Sequence, residues 1–252
     1  MNTNSCLSPR PMRWLAGATL AALLAAGAMA PAGAEATTQQ ITPAEKLLFQ
    51  SSHLQNVAAP KVLRYRYVRQ DAEGAGFSDE VLIEVAARNS DGSAKVSSEF
   101  LHGERQLPIP AVQEAQGNPA LLGFLERDIA EMKRVTGGST SYFRKRIRMA
   151  LAEGARIEEV TLDYGGHQVH GQKIAIQPYL NDPMGEKMPK YLGKQYVFIL
   201  SDAIPGSVYR LSATVPGTTA APAATAPAAP AGKGGPGTAL IEETMTFDGT
   251  KS

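Results

Sequence analysis

The chain has 252 residues, 25 basic and 24 acidic, with four histidines, one cysteine and one tryptophan. A formal charge of +1 gives no global field to draw the protein to nucleic acid or an anionic membrane. Cys6 and Trp14 both fall in the first 34 residues, so a chain cut there forms no disulfide and carries no thiolate chemistry or iron–sulfur cluster.

Those first 34 residues read as a signal peptide. Arg10 and Arg13 supply positive charge, and an uncharged apolar run follows from Trp14 to Ala26. The run is too short to span a bilayer, which takes about 20 residues. Ala32-Gly33-Ala34 before Glu35 is the better cleavage site, because cutting after Ala28-Met29-Ala30 would leave Pro31 at the cut. Cys6 precedes the apolar run, so it is not placed to receive a lipid. Cleavage after Ala34 removes two basic residues and no acidic ones and leaves a net charge of −1. The expected destination is the periplasm, and no later stretch reaches transmembrane length.

Residues 35–60 hold one short helix. Thr42-Pro43-Ala44-Glu45 has the form of a capping box with proline in the first turn. Leu47, Leu48 and Leu54 give it an apolar side, and Pro60 closes it. From residue 61 the period becomes two, with Leu63, Tyr65 and Tyr67 on one face and Val62, Arg64, Arg66 and Val68 on the other. Val81, Ile83 and Val85 continue the alternation. Asn89-Ser90-Asp91-Gly92 marks a turn, and Val96, Ser98 and Phe100 follow. Connections this short make an antiparallel meander.

Two helices come next. Asn118-Pro119 starts the first, whose apolar residues are Leu121, Leu122, Leu125, Ile129 and Met132. Gly137-Gly138 ends it, and Ser139 or Ser141 caps a second helix carrying Phe143, Ile147, Ala150 and Leu151. Strands then resume around Val160–Tyr164, Ile174–Ile176, Tyr196–Leu200 and Val208–Leu211. Residues 214–238 are almost entirely Pro, Ala, Gly and Thr and are expected to be a disordered loop. Leu240–Phe247 has strand character, with Ile241, Glu243, Met245 and Phe247 in one row. The fold class expected is α+β, an open half-barrel of antiparallel strands packed on a helical hairpin. Residues 61–213 and 239–248 form its single domain.

No catalytic residue, metal site or cofactor motif emerges. His167 and His170 stand three apart in a strand, which points them to opposite faces. The loop after Ala87 lacks the first ligand of a calcium loop, and no nucleophile elbow is present. The cations Lys133, Arg134, Arg144, Lys145, Arg146 and Arg148 could gather on the helical hairpin. They would dock an acidic partner or headgroup, or form a solvated face neutralised in part by Glu126, Asp128 and Glu131. Arg64 and Arg66 either face a lined cavity or pair with Glu84 or Glu99 across the sheet.

The stretches Phe49–Leu54, Phe124–Asp128, Tyr142–Arg148 and Ser201–Gly206 resemble an uncharacterised family of exported proteobacterial proteins without an established activity. The order of elements also resembles the lipoprotein-carrier half-barrels of the Gram-negative periplasm. That resemblance implies a hydrophobic or lipid-like ligand between sheet and helices. Tyr65, Tyr67, Val85, Phe100, Phe124, Phe143 and Phe198 would line it, and Arg64 or Arg144 would meet a polar head. The alternative is an envelope accessory protein that binds its partner through the basic helical surface. Both readings are non-enzymatic; a hydrolase of unfamiliar type is a third.

Overall fold

The computed structural model describes residues 40–217 and 239–251; the expected signal peptide lies outside the described residues, as do residues 218–238. The capping box at Thr42 forms. Thr42 Oγ1 accepts from the Glu45 backbone N–H, while the Glu45 carboxylate accepts from the Thr42 N–H at 2.9 Å. The helix it starts, α1 (Pro43–Glu45), is shorter than expected. It runs into a single wide turn closed by Ser51 N–H on the Lys46 carbonyl, and then into a 3₁₀ turn at His53–Asn56.

Nine strands make one antiparallel sheet: β1 (Lys61–Asp71), β2 (Gly76–Arg88), β3 (Ala94–Phe100), β4 (Val112–Ala115), β5 (Arg156–Tyr164), β6 (His167–Ile176), β7 (Gln195–Leu200), β8 (Val208–Pro216) and β9 (Ala239–Lys251). Their order is β4-β3-β2-β1-β9-β8-β7-β6-β5. All but one of these pairs join strands consecutive in the chain. The exception is β9, which enters mid-sheet between β1 and β8. Thr214, Val215 and Pro216 belong to β8 and pair with β9, so the strand reaches past residue 213, where a loop was expected.

Alternation sorts the central strands as expected, while β4, which was not expected, and β5 are mostly exposed. Leu63, Tyr65 and Tyr67 of β1, Val81, Ile83 and Val85 of β2, and Tyr196 and Phe198 of β7 are all buried on one face. The sheet curls around that face. The rings of Tyr164 on β5 and Phe247 on β9 lie 6.0 Å apart, although four strand spacings would separate them by about 19 Å in a flat sheet.

Two helices cover the inner face: α2 (Pro119–Thr136) and α3 (Thr140–Gly154). They lie in the chain between β4 and β5, the two outermost strands, so the pair bridges the sheet from one edge to the other. Asn118 caps α2, and its side-chain amide also reaches the Tyr65 hydroxyl (2.7 Å) and the Gly206 carbonyl (2.8 Å). Gly137, left-handed at φ 72°, ends α2, and Ser139 rather than Ser141 caps α3. Gly123 lets α2 approach closely, since a Cβ there would stand 2.6 Å from the Phe100 ring.

Candidate functional site: the covered inner face

The six aromatic residues expected to line a ligand space are buried together in one core. Tyr65, Tyr67, Phe100 and Phe198 project from the sheet, and Phe124 and Phe143 from α2 and α3. The Tyr67 ring lies 6.3 Å from Phe100 and 6.2 Å from Phe124, and Phe143 meets Tyr179 edge-on at 5.9 Å. Solvent-facing grooves of about 420, 540 and 250 Å³ are among those that indent the described surface, and none of the six aromatics lines these. With the helices in place, these rings pack among aliphatic side chains such as Leu63, Ile83, Ile174 and Leu211 in one core.

Two charged clusters sit within this interface, anchored by consecutive residues of α2. One nitrogen of Arg127 contacts both carboxylate oxygens of Glu243 on β9, each at 3.0 Å. The same carboxylate accepts from the Tyr67 hydroxyl at 2.8 Å and from Arg69 Nε at 2.9 Å. The Arg127 guanidinium lies 4.9 Å from the centre of the Tyr67 ring, within cation–π range. Asp128 faces the other way. One of its oxygens accepts from Lys194 Nζ, which just precedes β7, and the other from the Tyr196 hydroxyl on β7. Since β8 lies between β9 and β7, α2 straddles β8 with charged contacts on both sides.

Asp128, Lys194 and Glu243 are all at most 5 % exposed. Burial pushes the hydroxyls of Tyr67 and Tyr196 far above the usual tyrosine range, and the adjoining carboxylates push them further. Both tyrosines therefore stay protonated and act as donors. Carboxylates saturated by such donors and shut off from water clamp two elements together; they are not arranged to relay protons.

The basic cluster is less uniform than its sequence suggests. Arg144 pairs with Glu126, and Arg134 with Glu131. Arg146 is largely buried, 2.8 Å from Asp182 and donating to the Pro178 carbonyl. Lys133, Lys145 and Arg148 remain exposed. Arg64 points away from the aromatic row. With Arg66 it pairs with Asp248 on β9, not with the expected Glu84 or Glu99. His170 pairs with Glu159 across β5–β6, and no metal-binding cluster occurs among the described residues.

Arg127 and Lys194 were not singled out from sequence, and Asp128, expected to help neutralise a solvated basic face, is instead buried against Lys194 and Tyr196, though a signal existed. Asp128 falls on the apolar stripe of α2 between Leu125 and Met132, and Glu243 falls in the inward row with Met245 and Phe247. A carboxylate inside an inward-facing row implies a buried partner.

No family model and no curated protein matches this chain. Among solved structures, the crystal structure of the Mycobacterium tuberculosis lipoprotein LppX is similar over 78% of this chain and 90% of that one, at 8% identity and a TM-score of 0.31. A score that low carries no inference about ligand or activity.

Proposed function

We propose that this chain is exported, cut after Ala34, and acts without catalysis as a binding or carrier protein for a hydrophobic, lipid-like ligand held between the sheet and the helical pair. The observation that carries this reading is the roof. A buried apolar face, containing Tyr65, Tyr67, Phe100 and Phe198, is covered by one helical pair joined to the two outermost strands. Part of its grip is ionic. Buried ion pairs gain little net stability over their desolvation cost, unlike an apolar contact of equal area. Undocking into water rehydrates these charges, so the roof separates at lower cost than its area implies. Displacing it opens an apolar trough for an acyl chain.

Protein purified without detergent from the exporting host provides the test. Organic extraction and mass spectrometry should recover a lipid-like molecule in a fixed ratio to protein, and N-terminal sequencing should begin at Glu35. An extract free of such molecules, from protein that also takes up no added fatty acid, would refute the carrier reading.

A second reading, an accessory protein with an acidic envelope partner, draws on the exposed Lys133, Lys145 and Arg148. Reversing these three charges should abolish co-purification of that partner without altering ligand content. Unchanged co-purification contradicts it.

A further inference from the structure

The charged groups of the interface are divided unequally between its two sides. The helix contributes Arg127 and Asp128, which sum to zero, and at its rim Glu131, which Arg134 neutralises and which lies 4.0 Å from Arg69. The sheet side contributes Arg69, Lys194 and Glu243, which sum to +1. When α2 lifts, Glu243 keeps Arg69 and Tyr67 as partners, but Lys194 and Tyr196 lose the carboxylate they share. Lys194 then faces the opened trough without a carboxylate, and Tyr196 keeps only its long contact to the Tyr179 hydroxyl. Each had engaged a different oxygen of Asp128, a geometry that suits any carboxylate.

We infer that Lys194 and Tyr196 form a carboxylate-binding subsite, filled by Asp128 when the helices are closed and by the acid group of a fatty-acid-like ligand when they open. The inference rests on the carrier reading and adds the chemical class of the ligand. Neighbouring rings suit such a ligand. Lys194 Nζ stands 5.5 Å from the centre of the Tyr196 ring and 5.9 Å from that of Tyr191, and the Tyr179 hydroxyl lies 3.4 Å from that of Tyr196. The same exchange explains closure without ligand, since Asp128 supplies the missing anion from within the chain.

Equilibrium binding of cis-parinaric acid and of its methyl ester to the full exported chain, followed by probe fluorescence, tests this directly. The acid should bind at least about tenfold more tightly than the ester, a difference of about 1.4 kcal/mol. An Asp128→Leu/Lys194→Met double variant, which replaces the ion pair by apolar side chains, should bind acid and ester alike. Equal binding of both probes by the unaltered chain overturns the subsite and leaves the carrier reading standing. Retained acid preference in a double variant with an unchanged circular dichroism spectrum also overturns it. Binding of neither probe overturns both.

Discussion

At the scale of single residues, the inner face combines ordinary apolar burial with two carboxylates that only their partners make tolerable. Glu243 compensates both Arg127 and Arg69. Glu243→Gln leaves Arg127 without its paired carboxylate and Arg69 with only Glu131, at 4.0 Å, and should lower unfolding free energy by about 3 kcal/mol in urea titrations. A loss below about 1 kcal/mol would mean the cluster is solvated. His53 provides a second test. Its Nε2 donates to the Leu47 carbonyl at 2.7 Å, while Nδ1 accepts from the Asn118 backbone N–H at 3.3 Å. Burial lowers its pKa below the ordinary 6.5, the Leu47 and Asp202 contributions opposing. The unfolded chain therefore binds the proton more readily. The His53 contribution is complete above the unfolded value and is lost as pH falls through that value toward the folded one. His102 acts with the opposite sign, because Asp79 raises its pKa. Comparison with His53→Gln removes that background. Between about pH 7.5 and about pH 5, the unaltered chain should lose more stability than the variant, and parallel curves would contradict the assignment.

At the scale of elements, the two helix caps differ in what they hold. Ser139 caps α3 at an exposed position, so Ser139→Ala should cost about 1 kcal/mol. Asn118 caps α2 and also bonds Tyr65 and Gly206 in the interior, so Asn118→Ala should cost about 1–3 kcal/mol more. Chemical denaturation measures both, and equal losses would contradict a tethering role for Asn118. Gly123→Ala drives a methyl group into Phe100 and should destabilise by about 1–3 kcal/mol. All the strands but β4 were legible in the sequence because burial on one face imposes period two, β9 among them; residues 112–115 are largely exposed and carry no such signal. The helix starts were legible because Asn118-Pro119 and the serines before α3 carry capping chemistry. Residues 177–194 gave no periodic signal, since they form turns whose order comes from contacts such as Arg146–Asp182, far apart in the chain. Six aromatics of the buried face could be named from sequence, while Tyr179, Tyr196 and Phe247 were not assigned to it. The charged clamp could not be named, because matching Glu243 to Arg127 and Asp128 to Lys194 requires the strand order that places β9 mid-sheet.

At the scale of the molecule, that strand order makes the last segment indispensable. β9 pairs with β1 along one side and β8 along the other, and it supplies Glu243, Met245 and Phe247 to the interior. Ending the chain before Ala239 exposes two long central strand edges, so the truncated protein should aggregate on expression. A soluble, cooperatively melting product would contradict the topology. The central claim is that the helical pair separates from an intact sheet. Native-state hydrogen–deuterium exchange measures this without a ligand in hand. Amides of α2 and α3 should exchange through an opening of lower free energy than those of β1 and β9, and added fatty acid should change protection in the helices more than in these strands. Exchange of helices and sheet at one common free energy, equal to that of global unfolding and unaltered by fatty acid, would contradict it.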